Sequence, residues 1–121
     1  MRLLLNKTPR VFRVGHYDIS DHGKIELAPG DLVGMVTASG RQCDFTAHEW
    51  GFYATPSTNS RLKDQGFKTA VIRNPQGRIF VNVVEQDKLD LYAQYLEEQA
   101  AQVLCWLDED DSQPSMNGFS S

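Results

Sequence analysis

Residues 67–84, FKTAVIRNPQGRIFVNVV, decide the fold. Two runs rich in β-branched and aromatic residues flank Asn74-Pro75-Gln76-Gly77. That tetrad carries the residues a type I turn prefers, with Asn first, Pro second and Gly fourth. Such runs suit a pleated, half-buried surface, so the stretch predicts a β-hairpin. In the second arm Ile79, Val81 and Val83 share one face. Phe80 and Val84 flank Asn82 on the other, and an inward Asn needs a hydrogen-bond partner.

Upstream of the hairpin the same period recurs in short segments. KIELA (residues 24–28) alternates, and Ala28-Pro29-Gly30-Asp31 supplies the fixed and positive φ angles of a type II turn. DLVGMVT (31–37) is apolar on both faces at its middle, which predicts a central strand. Ala38-Ser39-Gly40-Arg41 turns the chain into QCDFT (42–46), with Cys43 and Phe45 inward. RVFRV (10–14) and HYDIS (16–20) read as further strands.

Downstream the period changes. Leu89, Tyr92, Leu96, Ala100, Val103 and Leu107 step by three or four, as one face of a helix does. No Gly or Pro intervenes before Pro114, so the helix is expected to run from Lys88 to Leu107, about 30 Å. That is longer than the sheet beneath it. Leu104 and Trp106 then fall on an overhanging end, as an exposed interface to a partner or to a second copy.

The expected fold is therefore α+β. An antiparallel, barrel-like sheet of five to seven strands carries one short inserted helix and a long C-terminal helix. A single domain spans residues 1–107. Residues 108–121, DEDDSQPSMNGFSS, are acidic and rich in Ser, Pro and Gly, and are expected to be disordered.

Between the aromatics at 50–53 and the hairpin lies TPSTNSRLKDQG (55–66), with Leu62 its one large apolar side chain. Thr55 suits an N-cap, Pro56 the first helical position and Gly66 the residue past the end. Ser57, Thr58, Asn59 and Ser60 offer hydroxyls and amides around free N–H groups, and Arg61, Lys63 and Lys68 add positive charge. That chemistry favours an anion such as a phosphate or carboxylate. Trp50, Phe52 and Tyr53 would wall it with rings. The alternative is a capped connector facing water. The glycines of a phosphate loop are absent.

Charge is unevenly spread. Residues 1–78 carry eleven of the twelve Lys and Arg against seven acids; residues 79–121 carry one base and nine acids. The halves therefore differ in sign, net +4 against −8, within a chain of net charge −4.

Catalytic candidates are His48, Glu49, His16 and Asp18. His48 and Glu49 are neighbours, which a strand would point to opposite faces. His16, Asp18 and His48 would need to converge to act as base and orienter or to hold a metal. Cys43 reads as buried, and Cys105, on the acidic helix, as a poor thiolate. No metal or cofactor is expected. Two cysteines and no secretory signal suggest a reducing compartment, the cytoplasm, and no run approaches a membrane span.

These readings converge on a non-enzymatic binding or accessory domain. It would hold an anionic or polar ligand at residues 50–68 and a protein partner through its C-terminal helix. A single-stranded nucleic-acid binder, using the same rings and cations with Phe67, Arg73 and Arg78, is a second reading, against which stands a pI near 5.2. A small enzyme using His48, Glu49 or His16 is a third.

Overall fold

The computed structural model describes residues 1–109. It is α+β, with eight strands in three antiparallel sheets, a one-turn helix and a longer C-terminal helix. The three sheets are not closed on themselves. The described residues divide into two compact units, Met1–Thr55 and the residues from Pro56 onward.

The first unit opens with a long ribbon. β1 (Arg2–Val14) pairs with β2 (Tyr17–Glu26) through the Gly15-His16 turn, where Gly15 takes φ +60°. The register slips between Leu5 and Arg10, where residues 6–9 bulge. Opposite that bulge Gly23 has φ +121°, and a Cβ there would meet the Leu4 carbonyl oxygen at 2.3 Å and Leu5 Cα at 2.8 Å. Both obstacles are backbone, so the ribbon cannot yield by moving a side chain. Gly23→Ala is expected to cost about 1–3 kcal/mol. It should also raise amide exchange in residues 2–5 and 23–26, read by hydrogen exchange; unchanged protection there would refute the assignment of strain.

The remaining strands of this unit are β3 (Leu32–Val36), β4 (Gln42–His48) and β5 (Gly51–Ala54), in spatial order β3-β4-β5. The turn from Ala28 to Asp31 forms as predicted, with Asp31 N–H donating to Ala28 C=O at 2.9 Å and Gly30 at φ +96°. The expectation that 31–37 is a central strand fails. β3 lies at the edge, with Leu32, Met35 and Val36 more than half exposed, and β4 is central and buries Cys43 and Ala47. Apolar residues on both faces of a strand do not distinguish burial from an uncovered surface.

In the second unit, α1 (Arg61–Asp64) precedes the predicted hairpin, β6 (Phe67–Arg73) and β7 (Ile79–Glu85). Gly77 N–H donates to Asn74 C=O at 2.9 Å. The Asn74 side-chain oxygen accepts from Gln76 and Arg78 N–H, which fastens the turn. β6 is central and buries Phe67, Thr69, Ala70 and Ile72.

A 3₁₀ turn (Gln86–Lys88) leads into α2 (Leu89–Gln99). Asn82 finds its partner here, accepting from the Tyr92 hydroxyl at 2.7 Å. The long helix to Leu107 is not formed. Ala100 turns left-handed at φ 52°, Ala101 N–H closes onto Leu96 C=O at 2.9 Å, and residues 102–106 become β8 (Gln102–Trp106) on the free edge of β6. Val103-Leu104-Cys105-Trp106 satisfies a helical stripe and a strand equally, and pairing with β6 decides between them. The stop is hidden in the sequence because an alanine stands where glycine is usual.

Candidate functional site

Residues 57–68 do not form the helix expected from Thr55 to Gly66. The Ser57 hydroxyl accepts from Arg61 N–H at 3.1 Å and its carbonyl from Leu62 N–H at 2.9 Å, leaving a helix of four residues. Short polar side chains compete with helix in this way. One turn accumulates little dipole. The Thr58 hydroxyl donates to Leu107 C=O at 3.0 Å. Asn59, Ser60, Arg61 and Lys63 stand exposed, and among the described residues neither Arg61 nor Lys63 forms an ion pair.

Lys68 is held by the protein itself. Its ammonium lies 2.8 Å from the Asp108 carboxylate, 3.6 Å from that of Glu109 and 4.7 Å above the Trp106 ring. Asp108 is 1% exposed and also accepts from Thr69 N–H at 2.9 Å. Burial pushes the Asp108 carboxyl up, but hydrogen bonds from Lys68 and Thr69 outweigh it and hold it below the usual range. The Asp108 hydrogen bond raises Lys68 in turn. Asp108 was expected in the disordered tail, and is instead an anchor for the end of β8; residues 110–121 lie outside the described structure.

Trp50, Phe52 and Tyr53 belong to the first unit. The His48 ring stacks on Trp50 and Tyr53 at 5.0 and 5.3 Å. Register places His48, Tyr53 and Thr46 on one face of the β4–β5 hairpin and Phe52 with Ala47 on the other. Phe52 joins Ile25, Leu27, Met35 and Phe45 in lining an apolar groove of about 290 Å³. The three rings therefore do not form one wall.

His16 sits in the tip turn of the ribbon, and the Asp18 carboxylate is held by Arg13 at 3.0 Å. Glu49 lies in the turn after β4. Among the described residues no three His, Cys, Asp or Glu side chains are grouped to hold a metal ion. Burial raises the Cys43 thiol further from reactivity. Cys105 is exposed on a strand and not on a helix. Leu104 is 40% exposed on β8, while Trp106 packs edge-on against Tyr92, so neither lies on a helical overhang.

The ribbon's strands were expected at 10–14 and 16–20, but the open apolar face they form together was not. Phe12 opposes Ile19 and Val14 opposes Tyr17, all on one face and all about 40–46% exposed or just under. The other face carries Val11 opposite Ser20 and the Arg13–Asp18 ion pair. Alternation in RVFRV and HYDIS was the available signal.

No helix among the described residues is long and apolar enough to cross a membrane. Comparison of the chain with protein-family models, with curated proteins and with solved structures finds no match.

Proposed function

We propose that this protein is a non-enzymatic binding or accessory domain that works by docking to a protein partner, with the distal half of the β1–β2 ribbon as its main docking element. The observation that carries this is the apolar face of Phe12, Val14, Tyr17 and Ile19 on a two-stranded sheet. A two-stranded ribbon is marginal in water and gains stability when its apolar face is covered. The partner surface moves accordingly from the C-terminal helix to the N-terminal ribbon.

The anionic-ligand part of the proposal now rests on Asn59, Ser60, Arg61 and Lys63. Ser57, Thr58 and Lys68 are engaged within the fold. Glu49 and the histidines supply no assembled acid–base pair among the described residues, so the catalytic alternative lacks a supporting contact.

Cross-linking mass spectrometry in native cell extract tests the docking. Cross-links to a partner should map to residues 10–20 and fall at least about tenfold when Phe12 and Ile19 are both replaced by Ser. Partner cross-links that ignore these substitutions would remove the ribbon from the proposal. A thermal-shift series with inorganic phosphate, with Arg61→Ala and Lys63→Ala as controls, tests the ligand. A phosphate-dependent rise in Tm lost in both variants is the expected result, and no rise in the wild type counts against it.

A further inference from the structure

We propose that the outer edge of β7 pairs antiparallel with the same edge of a second copy, giving a two-fold dimer with a continuous sheet in the order β8-β6-β7-β7-β6-β8. Among the described residues β7 is the terminal strand of its sheet and pairs on one side only, with β6. That pairing runs without a bulge from Phe67↔Glu85 to Arg73↔Ile79. Residues 79–84, IFVNVV, contain no charge, glycine or proline. Ile79, Phe80, Val81 and Val83 are 52%, 48%, 62% and 40% exposed.

Edge strands are normally guarded by charge, proline, a bulge or short length. The other edges of this protein have such guards. β8 slips register where it meets Val71 and Ile72, so Leu104 is extra. β1 is interrupted by the bulge containing Lys7 and Pro9, and β2 carries Asp18, Asp21, Lys24 and Glu26. β3 has five residues with Gly34 at its centre, and β5 has four. β7 alone among these is long, regular and uncharged across its middle.

The edge is also complementary to itself. A two-fold axis perpendicular to the sheet keeps each face on its own side, so opposed residues must share a face. With Val81 opposite Val81, Ile79 meets Val83 and Phe80 meets Asn82, and Glu85 falls opposite Gly77 in the turn. Centring on Asn82 instead would set Ile79 against Glu85, an apolar side chain against a carboxylate. In this register Arg78, just before one strand, falls opposite Val84 of the other, while Glu85, on the opposite face, keeps its own Lys88 ammonium at 3.2 Å, so no like charges are opposed. A parallel pairing would set like ends together.

Sedimentation velocity of the full chain tests this. The expected species has twice the 13.7 kDa chain mass. Val81→Lys places two like charges opposite each other and should raise the dimer dissociation constant at least about tenfold. Val36→Lys is the control, because Val36 is equally exposed, at 62%, on the edge strand β3, and it should leave the dimer intact. In a Cys105→Ser background, Val81→Cys should form a disulfide-linked dimer under mild oxidation while Val36→Cys does not. This last measurement holds even if the lysine variant misfolds. A monomeric wild type overturns the proposal, as does a dimer that survives Val81→Lys or fails to cross-link at Val81. The ribbon substitutions at Phe12 and Ile19 should leave this dimer unchanged, so it stands or falls apart from the docking proposal.

Discussion

Replacing Asp108 with alanine is expected to lower stability by about 3 kcal/mol, the order seen when one partner of a buried ion pair is removed. For a chain of this size that corresponds to a fall in Tm on the order of 15 °C. The loss has two sources. The Thr69 N–H, on the buried central strand, loses its 2.9 Å acceptor, and the Lys68 ammonium loses its 2.8 Å carboxylate and keeps the longer contacts to Glu109 at 3.6 Å and the Trp106 ring at 4.7 Å. Asp108→Asn retains an oxygen for Thr69 and should cost less than half as much. Urea denaturation of the two variants and the wild type checks this; equal losses for Ala and Asn would mean the amide contact contributes nothing.

The same pair sets a pH window. The folded Asp108 carboxyl lies below its ordinary value of 3.8, so the unfolded chain takes up the proton first on acidification. Its contribution is complete above the unfolded value and is lost as pH falls through the lower folded one. Lys68 is raised above 10.5, so its contribution is complete below that and is lost as pH rises through the higher folded value. Asp108→Ala should therefore flatten the acid limb of the stability profile. A limb of unchanged slope would assign acid unfolding to other carboxylates.

Leu62→Ala is expected to cost about 3 kcal/mol and to act locally first. Leu62 is fully buried and is the only buried residue of α1. A large-to-small change at such a site costs about 2–5 kcal/mol. One helical turn has no stability of its own in water, so α1 persists only through this contact and its capping turn. Arg61 and Lys63 flank Leu62, so trypsin reports on the segment directly. Cleavage at these two sites should accelerate at least about tenfold in the alanine variant, and much less in Leu62→Met, which keeps the volume. If cleavage at Arg61 and Lys63 stays at the wild-type rate while global stability falls, the segment is held by something besides Leu62.

Leu62 was legible from the sequence as the one large apolar side chain of a polar stretch, and the structure buries it completely. The 67–84 hairpin was legible for a similar reason. Its turn residues and its alternating arms point the same way, so local and tertiary preferences agree. The C-terminal helix was half legible. Residues 89–99 obey the helical period, but Val103 to Trp106 suit either state, and only the vacant edge of β6 selects the strand. The supposed anion site was the least legible. Composition at 57–68 is right for an anion, yet side-chain bonds within the segment shorten the helix, and an acid forty residues away reaches Lys68.

What the sequence determined by itself is the antiparallel α+β character, the turns at 28–31 and 74–77, the helical segment after residue 85 and the burial of Cys43 and Leu62. These follow from contacts within a few residues and from the period of apolar side chains. Which strands became edges, which apolar faces stayed open and which carboxylate met Lys68 were decided by tertiary pairing alone. An edge strand and a central one can have the same apolar pattern, because the pattern records what a residue can bury and not whether a neighbour arrives to cover it.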